Sequence, residues 1–294
     1  MPSLSEFLTT FSWDTVGAAF IVIFGAGYLH LVAKLRYRGH KWPVTRTLVF
    51  VILGLGVFAW VQFGFFGTYR YELRWAFTTR IALLLFGVPM LLGLGRPLEL
   101  ARAALGTPGK KRLNAFMASW PVRLVSNAIF APLFALTLFM FFITPTGGAW
   151  RESALAQDLS TVLSVVFGML MLLPINSKRH HRSEIFIVAE FIFAFAELML
   201  DAIPGVVLSI SNVVLDHAHS VAGALPAWFP SALNDQHFSG NLLWMIAEAA
   251  DIPILVMLFI RWGKSDRKTA KAVDDLTDEE FEALANQHLK GPRR

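Results

Sequence analysis

Five carboxylates lie within stretches of sequence that are otherwise apolar: Glu190, Glu197, Asp201, Glu248 and Asp251. Spacings of seven and four place Glu190, Glu197 and Asp201 on one helical face, and Glu248 and Asp251, three apart, share another. A charge inside a membrane costs on the order of several kcal/mol unless it is paired or hydrated, so each one needs a reason. Arg80, inside a third apolar stretch, and Arg123, at the edge of a fourth, are the available cationic partners. Two chemistries fit this intramembrane polar cluster. One is a proton relay or cation site; the other is a set of inter-helix ion pairs and hydrogen bonds that fix packing. Pairing is the simpler, because a proton path must link both faces and the sequence shows none.

Imidazoles form a second constellation. His217 and His219 stand in Asp216-His217-Ala218-His219, and His237 follows in Asn234-Asp235-Gln236-His237. A His-x-His pair supplies two ligands from one extended segment, and carboxylate with imidazole suits copper or zinc. His217, His219, Asp235 and His237 are therefore the candidate metal ligands, the alternative being solvated loop histidines. His180 and His181 sit in a basic loop, where they suit topology or lipid headgroups. His30, in an apolar stretch, reads as a hydrogen-bonded packing residue. Methionines such as Met169, Met171, Met199, Met245 and Met257 read as ordinary helix-interface filler, Cu(I) ligation by a thioether being the lesser alternative. The chain has no cysteine, which removes disulfides and thiolate sites. No phosphate-cradling loop, nucleophile elbow or zinc-protease helix occurs, so no enzyme chemistry is predicted.

The elements that must position these residues are membrane helices. Of 294 residues, 55% are hydrophobic and only 16% charged, against about a quarter charged in soluble domains. The apolar residues come in blocks of about twenty, the length that crosses a hydrocarbon layer about 30 Å thick. Spans are predicted at about 15–35, 46–67, 75–95, 120–143, 155–175, 184–214 and 240–262. Pro204-Gly205 implies a kink or tilt in the sixth. The net charge of +5 is not a nucleic-acid signature, because the cations concentrate in alternate short loops. Lys34, Arg36, Arg38, Lys41 and Arg46 fill the first; Arg96, Arg102, Lys110, Lys111 and Arg112 the third; Lys178, Arg179 and Arg182 the fifth. The other loops are poorer in Lys and Arg, which places the odd loops in the cytoplasm and the N-terminus outside. The predicted fold is an all-α, polytopic bundle of seven transmembrane helices over 1–262, with a charged cytoplasmic tail over 263–294. Met1 to Asp14 carries no basic residue, so the first span is expected to be retained rather than cleaved. In the tail, Thr277 and Glu280 have capping-box spacing, which predicts a short helix.

Motifs at the ends of these spans resemble the CtaG-type cytochrome c oxidase assembly factors of bacteria. Arg36-Tyr37-Arg38-Gly39-His40-Lys41-Trp42-Pro43 looks like that family's basic first loop. Pro89-Met90-Leu91-Leu92-Gly93-Leu94-Gly95-Arg96-Pro97-Leu98 is similar to the close of its third span, and Gly168 with Leu173-Pro174-Ile175 to the close of its fifth. Asp235-Gln236, Gly240, Trp244, Glu248, Arg261-Trp262 and Asp266-Arg267 track its last helix and charged exit. The resemblance covers most of the chain. It implies a seven-span plasma-membrane protein that assists a haem–copper oxidase and presents copper at the outer face. The family's third span carries two histidines where this chain has Phe77 and Ile81, and its fifth a histidine where this chain has Gln157 and Asp158. The expectation is a non-enzymatic assembly factor with oxidase subunits and lipid as partners, in which His217, His219 and His237 substitute as copper ligands or metal binding is lost. An ion or small-solute transporter using the acidic face of the last two spans is the alternative. A metal-free structural subunit of a respiratory complex is a third.

Overall fold

The computed structural model describes residues 2–126, 130–172, 184–216 and 228–274. The side chains of Glu190, Glu197, Asp201 and Asp251 lie outside the described set. Among the described residues all regular structure is helical.

A short helix, α1 (Leu4–Thr9), opens the chain with a capping box between Ser3 and Glu6. Asp14 then caps α2 (Thr15–Tyr37), accepting from the Gly17 N–H at 2.6 Å. The helix α3 (Val44–Thr68) is π-helical over Val49–Leu55, and α4 (Arg74–Leu94) is π-helical over Leu83–Gly87. The second π turn has a local cause. Pro89 has no N–H to offer the carbonyl of Leu85, so the ladder widens just upstream of it. Four shorter helices follow: α5 (Pro97–Ala104), α6 (Thr107–Met117), α7 (Trp120–Val125) and α8 (Phe130–Phe141). Next come α9 (Pro145–Glu152) and α10 (Ala154–Met171), and after them α11 (Glu184–Ile210) and α12 (Ala232–Asp274). Proline occupies the first turn of α5, α6, α7 and α9, where its missing N–H costs no hydrogen bond.

Among the described residues α2, α3, α4 and α10 are long and apolar enough to cross a membrane. A fifth forms if Leu133–Phe141 and Pro145–Glu152, bent by 80° from one another, count as one broken span. The first, second, third and fifth predicted spans therefore coincide with single helices. The predicted fourth span, 120–143, divides into α7 and α8, and the chain turns at Thr144, which caps α9 at Gly147. The seventh begins at Ala232 rather than 240 and its helix runs to Asp274. The tail sequence around Thr277 lies outside the described residues.

The chain separates into two units, one of Met1–Lys178 with Glu197–Ala250, the other of Arg179–Ala196 with Asp251–Arg294. Three apolar clusters hold the first unit together. Phe20, Tyr28, Phe50, Phe58, Leu84 and Leu92 join α2, α3 and α4. Phe77, Ile81, Leu85, Phe139, Phe142 and Leu243 join α4, α8 and α12. Phe65, Phe66, Leu73 and Trp75 gather Phe7, Trp228 and Phe229 around them. Helix α10 comes close to α4 at Gly168, where a Cβ would lie 2.0 Å from the Leu85 carbonyl oxygen, so only glycine fits. In the second unit Ile192, Phe195, Ile252, Val256 and Phe259 are exposed, as lipid-facing side chains are, and Phe259 meets Trp262 edge-on at 6.0 Å.

Candidate functional site

Arg80, in α4, is fully buried. Its Nε donates to Gln62 Oε1 of α3 at 3.0 Å, and Nη1 donates to Gln157 Oε1 of α10 at 2.7 Å. Nη2 donates to Thr161 Oγ1, also of α10. Thr161 passes its own proton to the Gln157 carbonyl at 3.0 Å, and the Gln62 amide donates to Thr161 at 3.3 Å. The planar fork of a guanidinium suits this arrangement, because three acceptors from two other helices are engaged in one plane-like set. Among the described residues no carboxylate bonds to Arg80; its partners are amides and a hydroxyl.

Six residues earlier on α4, Arg74 begins a second network. Its Nη1 lies 3.3 Å from Asp216 Oδ1 and 3.0 Å from Gln236 Oε1, and Nη2 donates to the Phe142 carbonyl at 3.3 Å. Arg151 of α9 reaches the other Asp216 oxygen at 3.2 Å and donates to the Tyr71 carbonyl at 3.1 Å. Gln236 also accepts from the Leu215 N–H at 2.9 Å and donates to the Val213 carbonyl at 3.0 Å, which fixes the segment before His217. The Gln157 amide donates to the Arg151 carbonyl at 2.8 Å, so the two networks share a member. Helix α4 lacks a side-chain cap from its own preceding residue, Leu73. Asp235 supplies one instead: its oxygens accept from the backbone N–H groups of Arg74 and Trp75 at 2.7 and 2.9 Å.

A third pair, Arg70 with Asp14 at 3.1 Å, closes the rim. The layer thus brings four guanidiniums (Arg70, Arg74, Arg80, Arg151) together with the carboxylates of Asp14, Asp216 and Asp235. Arg80 is the one of the four whose hydrogen bonds among the described residues all go to neutral groups. Beside the layer, Trp228 Nε1 donates to Glu6 Oε1 at 2.9 Å. With the Ser3 backbone N–H as the larger cause and Trp228 as the next, these bonds hold the Glu6 carboxyl below its ordinary pKa.

The residues singled out from sequence fall in several places. Asp235 and His237 stand in the first turns of α12, not in a loop. Both Asp235 oxygens face α4, and His237 Nε2 is 2.8 Å from the Ser211 carbonyl. His217 and His219 lie outside the described residues, directly after the anchored Asp216. Glu248 accepts from Trp244 Nε1, one turn earlier on the same helix. Glu190, Glu197, Asp201 and Asp251 have side chains outside the described set. Phe77 and Ile81 are buried in the apolar cluster, with Phe77 edge-on to Phe142 at 4.9 Å. Arg74, Arg151 and Asp216 fall outside the predicted spans, yet each is buried. Gln62 and Thr161 gave no signal beyond being polar residues in or beside apolar blocks, whereas Gln157 and Gln236 stood out only through the resemblance, at a histidine position and in the last-helix motif.

The family model of the cytochrome c oxidase caa3 assembly factor (Caa3_CtaG) matches residues 26–265, from within α2 to within α12. The chain belongs to this family. Every helix that contributes to the buried guanidinium layer has residues inside the matched region. Curated relatives include an uncharacterised protein of Mycobacterium bovis and one of Mycobacterium tuberculosis, each 25% identical over 96% of this chain and 44% of their own length. An uncharacterised protein of Mycobacterium leprae is 23% identical over 95% of this chain and 43% of its own. The chain therefore spans less than half the length of these relatives. No solved structure matches it.

Copper, which the resemblance to CtaG-type factors implies, finds no imidazole at the positions where that family carries its histidines. Phe77 and Ile81 offer only carbon, Gln157 is engaged by Arg80 and Arg151, and Asp235 holds two backbone N–H groups. Among the described residues no group of three His, Cys, Asp or Glu side chains is placed to hold a metal ion.

Proposed function

We propose that this member of the caa3 assembly factor family is a non-enzymatic factor of the bacterial plasma membrane that docks subunits of a haem–copper oxidase during assembly. The family match over residues 26–265 carries this reading. The structure adds a physical role for the buried layer. Asp14 before α2, Gln62 late in α3, Arg74 at the start of α4, Gln157 early in α10 and Asp235 early in α12 come together in one region. Successive helices that alternate in direction bring those ends together, which supports an up-and-down order. With the cation-rich odd loops in the cytoplasm, the layer belongs to the outer face. Counting α2, α3, α4, the bent α8–α9 pair, α10, α11 and α12 as spans gives seven, with the N-terminus outside and the C-terminus inside.

Buried charges in this position do not stabilise cheaply, since desolvation offsets much of the attraction. What they provide is a fixed register among five helices, and hence a rigid outer platform for a partner. Presentation of copper would fall to His217, His219 and His237, the first two standing directly after Asp216 in sequence. Affinity purification of the full chain from its own membranes tests the reading. Co-purification of oxidase subunits supports docking. Copper that travels with the protein and is lost on His217→Ala with His219→Ala and His237→Ala adds delivery, and absence of oxidase subunits counts against the proposal.

A further inference from the structure

The connection between α2 and α3 is strongly basic, yet its cations are not equivalent. Arg38 donates to the Ala104 carbonyl at 3.0 Å, and Arg46 pairs with Glu99 at 3.1 Å while lying over the Trp42 ring at 4.9 Å. Those two are committed to the protein. Arg36 and Lys41 form no hydrogen bond or ion pair among the described residues, and both line an open cleft of about 600 Å³ with Gly39, His40, Trp42 and Pro43. Gly39, at φ +79°, makes the turn that brings Arg36 and Lys41 to one cleft. The cleft's inner wall is rigid. Trp42 is buried, its Nε1 donates to the Tyr28 hydroxyl at 3.2 Å, and that hydroxyl donates to the Gly95 carbonyl at 2.8 Å.

Position selects the ligand. The cleft lies where one membrane-crossing helix ends, at Tyr37, and the next begins, at Val44, which is headgroup depth. Its lining combines two free cations with the apolar surface of Trp42 and Pro43, so it matches a ligand that is anionic at one end and apolar at the other. We infer that this cleft binds an anionic phospholipid, with Arg36 and Lys41 on the phosphate and Trp42 and Pro43 against the start of its acyl chains. Electrostatic attraction of this kind is additive per cation and operates within a Debye length of the surface. The inference does not depend on the oxidase reading.

Native mass spectrometry of the full chain released from detergent, titrated with phosphatidylglycerol or with phosphatidylcholine, tests it. The expected result is about tenfold tighter retention of phosphatidylglycerol, reduced to parity in Arg36→Gln with Lys41→Gln. A matched variant, Lys110→Gln with Lys111→Gln, removes the same charge from another cation-rich loop and should keep the preference. Equal retention of the two lipids by the wild type overturns the inference, as does equal loss in both double variants, which would mean a general charge effect. Displacement of the lipid by an equal concentration of inorganic phosphate would also overturn it, by making free phosphate the ligand.

Discussion

Asp235 accepts the backbone N–H of Arg74 at 2.7 Å, from 161 residues further along the chain. A helix cap is ordinarily local; here the first turn of α4 is completed by the first turn of α12. Removing it exposes two orphan N–H groups in a buried setting. Asp235→Ala should destabilise the folded protein by about 1–2 kcal/mol, and Asp235→Asn by less, because one amide oxygen still accepts. Melting followed by tryptophan fluorescence in detergent checks the order wild type, Asn, Ala.

Asp216 bridges Arg74 and Arg151, at 3.3 and 3.2 Å, with all three side chains buried. Its removal leaves two buried guanidiniums facing each other without the carboxylate that bridges them. Asp216→Ala should cost about 3–5 kcal/mol and sharply lower the yield of folded protein. A double-mutant cycle with Arg151→Gln should show strong coupling, since the second substitution relieves part of the imbalance made by the first. Additive losses would mean that the bridge contributes little.

Arg80→Lys keeps the charge but cannot engage Gln62, Gln157 and Thr161 with one planar group. It should cost about 2 kcal/mol, although an exposed Arg-to-Lys exchange is nearly neutral. Stability measured alongside oxidase content in membranes separates loss of fold from loss of docking.

Close approach of α4 and α10 depends on Gly168, where a Cβ would sit 2.0 Å from the Leu85 oxygen. Gly168→Ala should destabilise by about 1–3 kcal/mol, as overpacking does. Gly27→Ala in α2, with nothing within 4 Å of the added Cβ, is the control and should be neutral or slightly stabilising.

Glu99 is held below its ordinary pKa of 4.5 by the hydrogen bond from Arg96 first and Arg46 second. A carboxylate whose folded pKa is depressed contributes stability above its unfolded value and loses it as pH falls through the folded one. Half-exposed as it is, its contribution is small. Glu99→Gln should lower the melting temperature slightly at pH 7, and the difference should fade as the pH falls through the depressed folded pKa.

Four helices were legible in the sequence because apolar blocks of about twenty residues have one physical explanation in a membrane. The break after 120–125 and the 80° turn at Pro145 were not, since Phe130–Phe141 remains apolar and hides the bend in composition. Buried polar partners were hardest to see. Arg151 and Asp216 are 65 residues apart and each stands beside ordinary loop residues, so no spacing rule links them. Arg80 did announce itself as a cation in an apolar run, but its partners were sought among carboxylates. Side-chain amides satisfy a guanidinium without adding charge, and a glutamine at the end of an apolar block looks unremarkable. Asp235-Gln236-His237 read as loop because it is polar; it is helical because Arg74, Leu215 and Ser211 supply its partners.

Deletion of this gene in its host is the decisive test of the proposed assistance to a haem–copper oxidase. Oxidase assembled in the membrane should be measured by reduced-minus-oxidised haem spectra and by cytochrome c oxidation. Assembled, active oxidase should be lost on deletion, recover with the wild-type chain, and recover poorly with Asp216→Ala. Full oxidase content and activity in the deletion strain would contradict the proposed assistance.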